Sequence, residues 1–145
     1  MRSFALVFIL AVAVFADFTP QWVDCGGAGW TTSSVTFSKA PARNEKDDMT
    51  VCGNVNDAEE VGHVQMAVFL GTTKVFGSQF SVGDQQIFPG DNYCYNYTYY
   101  LPIITPNGHY TMNLTLEDVN NQSVGCSSLQ FNITSSEDND GFLNY

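Results

Sequence analysis

Cysteines are the first residues whose type could do chemistry. Beyond an apolar N-terminal run the chain carries four of them, at Cys25, Cys52, Cys94 and Cys126. An even number of cysteines behind a secretory leader predicts two disulfides, and three pairings are open. A zinc site is the poorer explanation, because the cysteine spacings are wide and both histidines lie far from any cysteine in the sequence.

The histidines and the paired acids do not form a catalytic motif. A serine or cysteine nucleophile needs a histidine base and an orienting acid, yet His63 and His109 each stand beside a glycine, outside any nucleophile motif. The pairs at 47–48 and 59–60 could serve glycoside chemistry, but adjacent acids in polar turns are usually solvated. No glycine-rich phosphate loop or His-Glu metal motif occurs. The sequence therefore predicts a protein that is not an enzyme and uses no metal or other cofactor.

The N-terminus fits a secretory signal peptide. Arg2 precedes an apolar run over residues 4–15, and the small-residue pattern predicts cleavage after Ala16. The run, about 12 residues, is shorter than the roughly 20 that span a bilayer, and a signal anchor is the alternative. We expect a signal peptide at 1–16, one domain at 17–134 and an acidic, flexible tail at 135–145, with the protein secreted or in a lysosomal or endosomal lumen.

The charge balance is strongly acidic, with 5 Lys and Arg against 15 Asp and Glu and a net charge of −10. Such a balance opposes binding to nucleic acid or, by simple attraction, to an anionic membrane. A cationic partner or an acidic compartment suits it better, and solubility alone is the plainer explanation.

Apolar residues recur at every second position along most of the chain, which is the period of half-buried β-strands. About seven strands follow, separated by turn-forming clusters, at 34–39, 49–55, 64–70, 75–82, 93–103, 112–117 and 129–134. That number and spacing predict an all-β protein folded as a two-sheet sandwich. Pro102 predicts an edge strand or a bend near residues 101–104.

Four Asn-X-Ser/Thr signals predict N-glycosylation at Asn96, Asn113, Asn121 and Asn132. Glycosylation needs exposed asparagines, and Asn113 and Asn132 fall on the polar faces of their predicted strands. The sequons and the strand pattern therefore support each other.

Aromatic side chains are abundant, with 11 Phe and 7 Tyr in the chain. They can fill a sandwich core or line a pocket. The segment at 75–83 places aromatics beside glycines near a predicted strand end, which is the pattern of a pocket mouth.

Several short motifs, taken together, resemble the ML lipid-recognition family. They are WVDCG at 22–26, TVCGN at 50–54, YYLPI at 99–103, GHY at 108–110 and NQSVGC at 121–126 followed by LQFNI at 129–133. The resemblance covers nearly the whole mature chain and implies an immunoglobulin-like sandwich with an apolar cavity between its sheets. The implied function is to carry a sterol or a phospholipid, of the phosphatidylglycerol or phosphatidylinositol kind, between membranes, as a monomer in transient membrane contact.

The resemblance also assigns roles to residues. It implies a Cys25–Cys126 disulfide and leaves Cys52 with Cys94, whose polar strand neighbours predict that both point outward; the short-range bridges of the sterol carriers cannot form. Ile103, after the Leu-Pro pair, and the aromatics Phe76 and Phe80 are implied at the pocket. Further lining is expected from apolar residues that would equally suit a core: Val64, Met66, Leu101, Tyr110, Met112 and Leu114.

Two other functions fit the sequence. A lipid-loaded domain could be recognised by a receptor or another extracellular partner. A plain adhesion-type sandwich with a filled core is disfavoured by the absence of the immunoglobulin Cys…Trp…Cys spacing.

Overall fold

Alternating apolar and polar residues form strands along most of residues 18–134, the part of the chain that the computed structural model describes. The predicted signal peptide and acidic tail lie outside this part. The strands are β1 (Gln21–Gly26), β2 (Trp30–Phe37), β3 (Glu45–Val55), β4 (Glu59–Leu70), β5 (Thr73–Ile87), β6 (Asn92–Leu101), β7 (Gly108–Asp118) and β8 (Ser123–Ile133). Within these residues no helix is long and apolar enough to cross a membrane.

The strands form two antiparallel sheets, one in the order β1-β8-β7-β4-β5 and the other in the order β2-β3-β6. The predicted two-sheet sandwich is thus confirmed, with eight strands instead of about seven. The strand that the sequence pattern missed is β1, in which only Trp22 is even partly buried. Because neither face of this edge strand is buried, its sequence does not alternate between apolar and polar residues, and the strand pattern does not identify it.

Strand β6 ends earlier than predicted, at Leu101 instead of residue 103. Pro102 follows directly and has no backbone N–H to donate to the sheet. Residues 102–105 form a turn in which the Thr105 backbone N–H donates to the Pro102 carbonyl oxygen at 3.0 Å. The bend expected at this proline is therefore confirmed.

Because all neighbouring strands are antiparallel, the connections alternate between the two ends of the sandwich. The packed end carries connections 27–29, 56–58, 88–91 and 119–122, and the open end carries connections 38–44, 71–72 and 102–107. The tightest connection is at the open end, where Gly71, at φ 58°, begins the two-residue turn between β4 and β5.

The packed end is organised around Trp30, which is fully buried. Its indole Nε1 donates to the Tyr93 carbonyl oxygen at 3.3 Å. Gly53 and Gly125 lie against the ring, where a Cβ on either would collide with it. Close by, the hydroxyls of Thr32 and Ser127, 2.6 Å apart, link the two sheets.

Both disulfides tie neighbouring strands together. Cys25–Cys126 joins β1 to β8, and Cys52–Cys94 joins directly opposed residues of β3 and β6. Cys52 and Cys94 lie on the outer face, since their strand neighbours Val51 and Tyr95 are buried in the core. The pairing and the outward orientation that the sequence suggested are both found.

Candidate functional site

A cavity of about 370 Å³ lies between the sheets at the open end. Apolar and aromatic side chains from six strands and from the β6–β7 connection line it almost completely: Phe37, Met66, Val68, Val75, Phe76, Tyr97, Tyr99, Tyr100, Leu101, Pro102, Ile104, Thr105, Pro106, Tyr110, Met112, Phe131 and Ile133.

Strand register sets the wall that the five-stranded sheet contributes. Val68 on β4 lies opposite Met112 on β7, and Tyr110 on β7 lies opposite Phe131 on β8. The rings of Tyr110 and Phe131 are stacked, with centroids 5.7 Å apart. Alternation along each strand turns these residues inward, so the wall is apolar for two successive layers.

Of the nine residues predicted to line a pocket, five lie on this cavity: Met66, Phe76, Leu101, Tyr110 and Met112. Val64 and Leu114 do not. Val64 lies opposite Leu116 and Leu114 lies opposite Met66, and both Val64 and Leu114 are fully buried in the filled core. Their strands were identified correctly, but alternation alone cannot tell which layer of a sandwich is filled.

Phe80 and Ile103 also lie outside the lining set. Phe80 stacks on Tyr97 across the gap between the edge strands β5 and β6, with centroids 4.4 Å apart. It therefore lies at the boundary between the cavity and the filled core, within a strand instead of at a strand end. Ile103 is 70% exposed at the tip of the turn over residues 102–105, while Ile104 beside it lines the mouth.

Three tyrosines on β6, Tyr97, Tyr99 and Tyr100, line the cavity and were not predicted to do so. For Tyr97 and Tyr99 a usable signal existed, because the predicted outward orientation of Cys94 puts the odd-numbered residues of this strand on the inner face. Phe37 and Phe131 were missed for a different reason, since each reads equally well as core.

Two of the lining tyrosines, Tyr99 and Tyr110, donate their hydroxyl hydrogens to buried or neighbouring oxygens of the protein. Tyr99 donates to Asp47 Oδ2 at 3.1 Å, and Tyr110 donates to the Pro106 carbonyl oxygen at 2.8 Å. Burial raises the pKa of Tyr99, and the nearby Asp47 carboxylate raises it further. Burial also raises the pKa of Tyr110, while the charge of Arg43 acts in the opposite direction. At these two positions the cavity therefore meets the rings of neutral phenols.

Asp47 is buried yet well supplied with donors. Its carboxylate accepts from the Ser38 hydroxyl, from the Lys39 backbone N–H at 3.2 Å and from the Asp48 backbone N–H at 2.9 Å, in addition to Tyr99. A carboxylate with four donors is stable without a cation, so Asp47 is explained as a structural group.

The rim of the cavity exposes large apolar side chains. Val75, Phe76 and Tyr100 are about half exposed, and Ile104 is 85% exposed. Ile103, in the same β6–β7 connection as Ile104, is also largely exposed. Exposed apolar surface of this kind is typical of a site that binds a membrane, a ligand or another protein.

The histidines lie outside the cavity. His63 Nε2 is 2.6 Å from Glu117 Oε2, and His109 Nδ1 is 2.9 Å from Asn132 Oδ1. Neither residue lines the cavity. In residues 18–134, no three side chains of His, Cys, Asp or Glu come together as a metal site would require.

None of the four sequon asparagines lines the cavity. Asn96 and Asn132 are exposed on β6 and β8, and Asn121 lies in the β7–β8 connection. Asn113 is partly buried and accepts a hydrogen bond from the Ser128 hydroxyl at 2.8 Å. Glycosylation at these positions stays a prediction, and glycans on them would leave the cavity lining untouched.

Comparison with known proteins gives one sequence family and one fold. The sequence profile of the ML domain matches residues 20–133. A protein of Dictyostelium discoideum described as "Putative phosphatidylglycerol/phosphatidylinositol transfer protein" is 28% identical over 138 residues, which cover 89% of this chain and 96% of that one.

Two solved structures superpose on the sandwich. A Niemann-Pick type C2 protein from the Japanese carpenter ant gives a TM-score of 0.58 at 13% identity, over 81% of this chain and 100% of that one. The C-terminal domain of wzt gives a TM-score of 0.63 at 12% identity, over 87% and 90%. At such identities the likeness establishes the shared fold alone.

Proposed function

Because this chain belongs to the ML domain family and has its lipid-binding fold, we propose that it carries a lipid between membranes, holding the apolar part of that lipid in the open-end cavity. The observation that supports this most directly is the cavity itself, an apolar space of about 370 Å³ that opens between exposed apolar side chains. Binding of this kind needs no catalytic residue, because apolar burial supplies the affinity.

The size of the cavity fits part of a lipid. An engineered apolar cavity of about 150 Å³ stays dry and takes up benzene, so a cavity more than twice as large can hold a longer aliphatic group. Each buried methylene contributes about 0.8 kcal/mol, and a run of them reaches useful affinity. At about 370 Å³ the space is near the lower end of ligand pockets, so a headgroup would stay at the mouth.

A phospholipid is the ligand class that we favour. The relative named for phosphatidylglycerol and phosphatidylinositol transfer aligns over nearly its whole length with this chain. Sterols are the second ligand class that the family resemblance implied, and an apolar cavity without free polar groups at Tyr99 and Tyr110 is compatible with either.

Membrane contact would take place at the mouth. Val75, Phe76, Ile103 and Ile104 are exposed there and could enter the bilayer surface while a lipid moves into the cavity. The two disulfides fit an oxidising compartment, in keeping with a secreted or lysosomal protein.

The test begins with the secreted, fully oxidised protein. Native mass spectrometry and organic extraction should find one lipid bound per protein, and the purified protein should move a fluorescent phospholipid between vesicles. Val68→Phe adds a ring to the cavity wall and should abolish binding, whereas Val23→Phe makes the same change at a position that is 61% exposed and should have no effect. An empty protein that transfers neither phospholipid nor sterol would contradict the proposal.

A further inference from the structure

Arg43 lies in the connection between β2 and β3, beside the mouth of the cavity. Its Nε donates to the Thr105 carbonyl oxygen at 2.6 Å, its Nη1 donates to the Thr134 carbonyl oxygen at 3.2 Å, and its Nη2 donates to Asn107 Oδ1. Thr105 and its neighbour Pro106 line the cavity. The guanidinium therefore holds the β6–β7 connection in place from just outside the lining.

All three partners of Arg43 are neutral amide or carbonyl oxygens. The ion pairs within residues 18–134 join Lys39 to Glu45 and His63 to Glu117, so the charge of Arg43 has no carboxylate partner among them. A guanidinium has five N–H donors, and three are used here. One N–H remains on each terminal nitrogen, which is the pair that binds a phosphate through two parallel hydrogen bonds.

The charge of Arg43 is also felt inside the mouth. It opposes the rise in the pKa of Tyr110, a tyrosine whose ring lines the cavity. An anion placed at the mouth would lie within the same field, because Coulomb interactions near a protein surface extend over several ångströms.

The acidic groups of the open end are engaged elsewhere. Glu45 pairs with Lys39, and Asp47 accepts from four donors. Asp48 Oδ1 accepts from the Thr98 hydroxyl at 2.5 Å. None of these carboxylates contacts Arg43, so an anion that approaches its guanidinium displaces no ion pair formed within residues 18–134.

We infer that Arg43 binds the phosphate of a lipid headgroup at the cavity mouth while the apolar part of that lipid occupies the cavity. The inference rests on the proposed function and narrows its ligand class to lipids that carry a phosphate. Arg43 would thereby link the headgroup to the connection it already holds, so that a bound phospholipid also stabilises the mouth.

The experiment compares two ligands that differ only in the headgroup. Phosphatidylglycerol and a diacylglycerol with the same acyl chains are titrated into the delipidated, oxidised protein, and binding is followed by native mass spectrometry. Wild-type protein should prefer phosphatidylglycerol. Arg43→Gln should weaken phosphatidylglycerol binding about tenfold or more and leave diacylglycerol binding unchanged, because a hydrogen bond to a charged group is lost.

Two control variants separate charge from loop anchoring. Lys74→Gln removes an exposed charge at the same end, and Asn107→Ala removes one anchor of the β6–β7 connection while leaving the guanidinium in place. Both should keep the preference for phosphatidylglycerol. An equal loss in Lys74→Gln, or an equal loss of both ligands in Arg43→Gln, would overturn the inference. If Arg43→Gln does not fold, Arg43→Lys is measured instead. Lysine keeps the positive charge, so this variant should keep part of the preference for phosphatidylglycerol. A folded Arg43→Lys protein that shows no such preference would contradict the site.

Inorganic phosphate distinguishes a lipid site from a site for the free anion. We expect it to compete weakly with phosphatidylglycerol, because acyl-chain burial supplies most of the affinity. Tight binding of inorganic phosphate that is lost in Arg43→Gln, without any preference among lipids, would overturn the lipid assignment. A wild-type protein that binds both lipids equally would contradict this site alone, whereas one that binds neither lipid would contradict the proposed function.

Discussion

The two ends of the sandwich are built from the same strands and the same kinds of side chain, yet one is filled and the other is hollow. At the packed end Trp30 spans the space between the sheets, and Gly53 and Gly125 make room for it. At the open end Phe37 and Phe131 approach each other across the sheets, with ring centroids 6.1 Å apart, yet about 370 Å³ remains unfilled. Aromatic content is high at both ends, so the cavity depends on how the side chains are distributed between layers and not on their number.

The ends also differ in charge. The basic residues of the described part, Lys39, Arg43, Lys46 and Lys74, all lie at the open end. The packed end carries a concentration of acids: Asp57, Glu59, Glu60, Asp84, Asp91, Glu117 and Asp118. Within residues 18–134 the excess of acids therefore lies at the packed end, and among these residues the mouth of the cavity does not share it.

The largest difference between the ends should appear on truncating an aromatic side chain. Trp30→Ala leaves a hole in a fully buried site and should lower the free energy of unfolding by about 3–5 kcal/mol. Phe76→Ala, at a side chain that is 51% exposed, should change it by no more than about 0.5 kcal/mol. Urea denaturation of both variants measures the contrast, and similar losses would show that the open end is packed after all.

The two disulfides provide a second comparison. Cys25 and Cys126 are separated by 101 residues, and Cys52 and Cys94 by 42. Replacing Cys25 and Cys126 with serines should lower the free energy of unfolding by about 2–5 kcal/mol. Replacing Cys52 and Cys94 should lower it by about 0.8 kcal/mol less, because a shorter loop restricts the unfolded chain less. Urea denaturation of the two double variants tests the order, and a greater loss from the Cys52–Cys94 pair would contradict it.

Val64 and Val68 lie on the same face of β4, on either side of Met66, and enlarging each of them tests the boundary between the filled core and the cavity. Val64→Phe forces a ring into the filled layer and should destabilise the protein by about 1–3 kcal/mol. Val68→Phe extends into empty space and should keep the stability while losing the lipid. Thermal unfolding and lipid binding are measured for both variants. An equal loss of stability in the two variants would contradict the boundary between filled core and cavity.

High pH should lower the free energy of unfolding, because it favours ionisation of tyrosines that the folded protein keeps neutral. Burial raises the pKa of Tyr95 and Tyr99 above the ordinary value of 10.0, so the folded protein favours the neutral phenols. Their contribution to stability is complete below pH 10 and is lost as the pH rises above it, by at most about 1.4 kcal/mol per pH unit for each tyrosine. Urea denaturation at several pH values above neutrality should show this slope. Tyr99→Phe should reduce it, and an unchanged slope in that variant would contradict the burial of Tyr99.

Sequence patterns predicted the fold well because alternation reports which face of a strand is buried. It identified the faces of β4, β7 and β8, and with them Met66, Tyr110 and Met112 at the cavity. It could not separate these residues from Val64 and Leu114, because lining and filled-core residues on the same strand faces differ only in what packs against them from the other sheet. Ile103, which the family resemblance implied at the pocket, lies instead at the exposed tip of the turn that follows Pro102. Arg43 gave no signal at all, since the acceptors it reaches come from residues far along the chain.

The most direct test of the central claim is to map where a bound lipid lies. A phospholipid with a photoactivatable group near the end of one acyl chain is bound to the oxidised protein and irradiated, and the labelled residues are identified by peptide sequencing. Labels are expected on cavity-lining residues such as Met66, Tyr97 and Met112. They should disappear in Val68→Phe and persist in Val23→Phe. Labels confined to the exposed rim, or unchanged in Val68→Phe, would contradict the account.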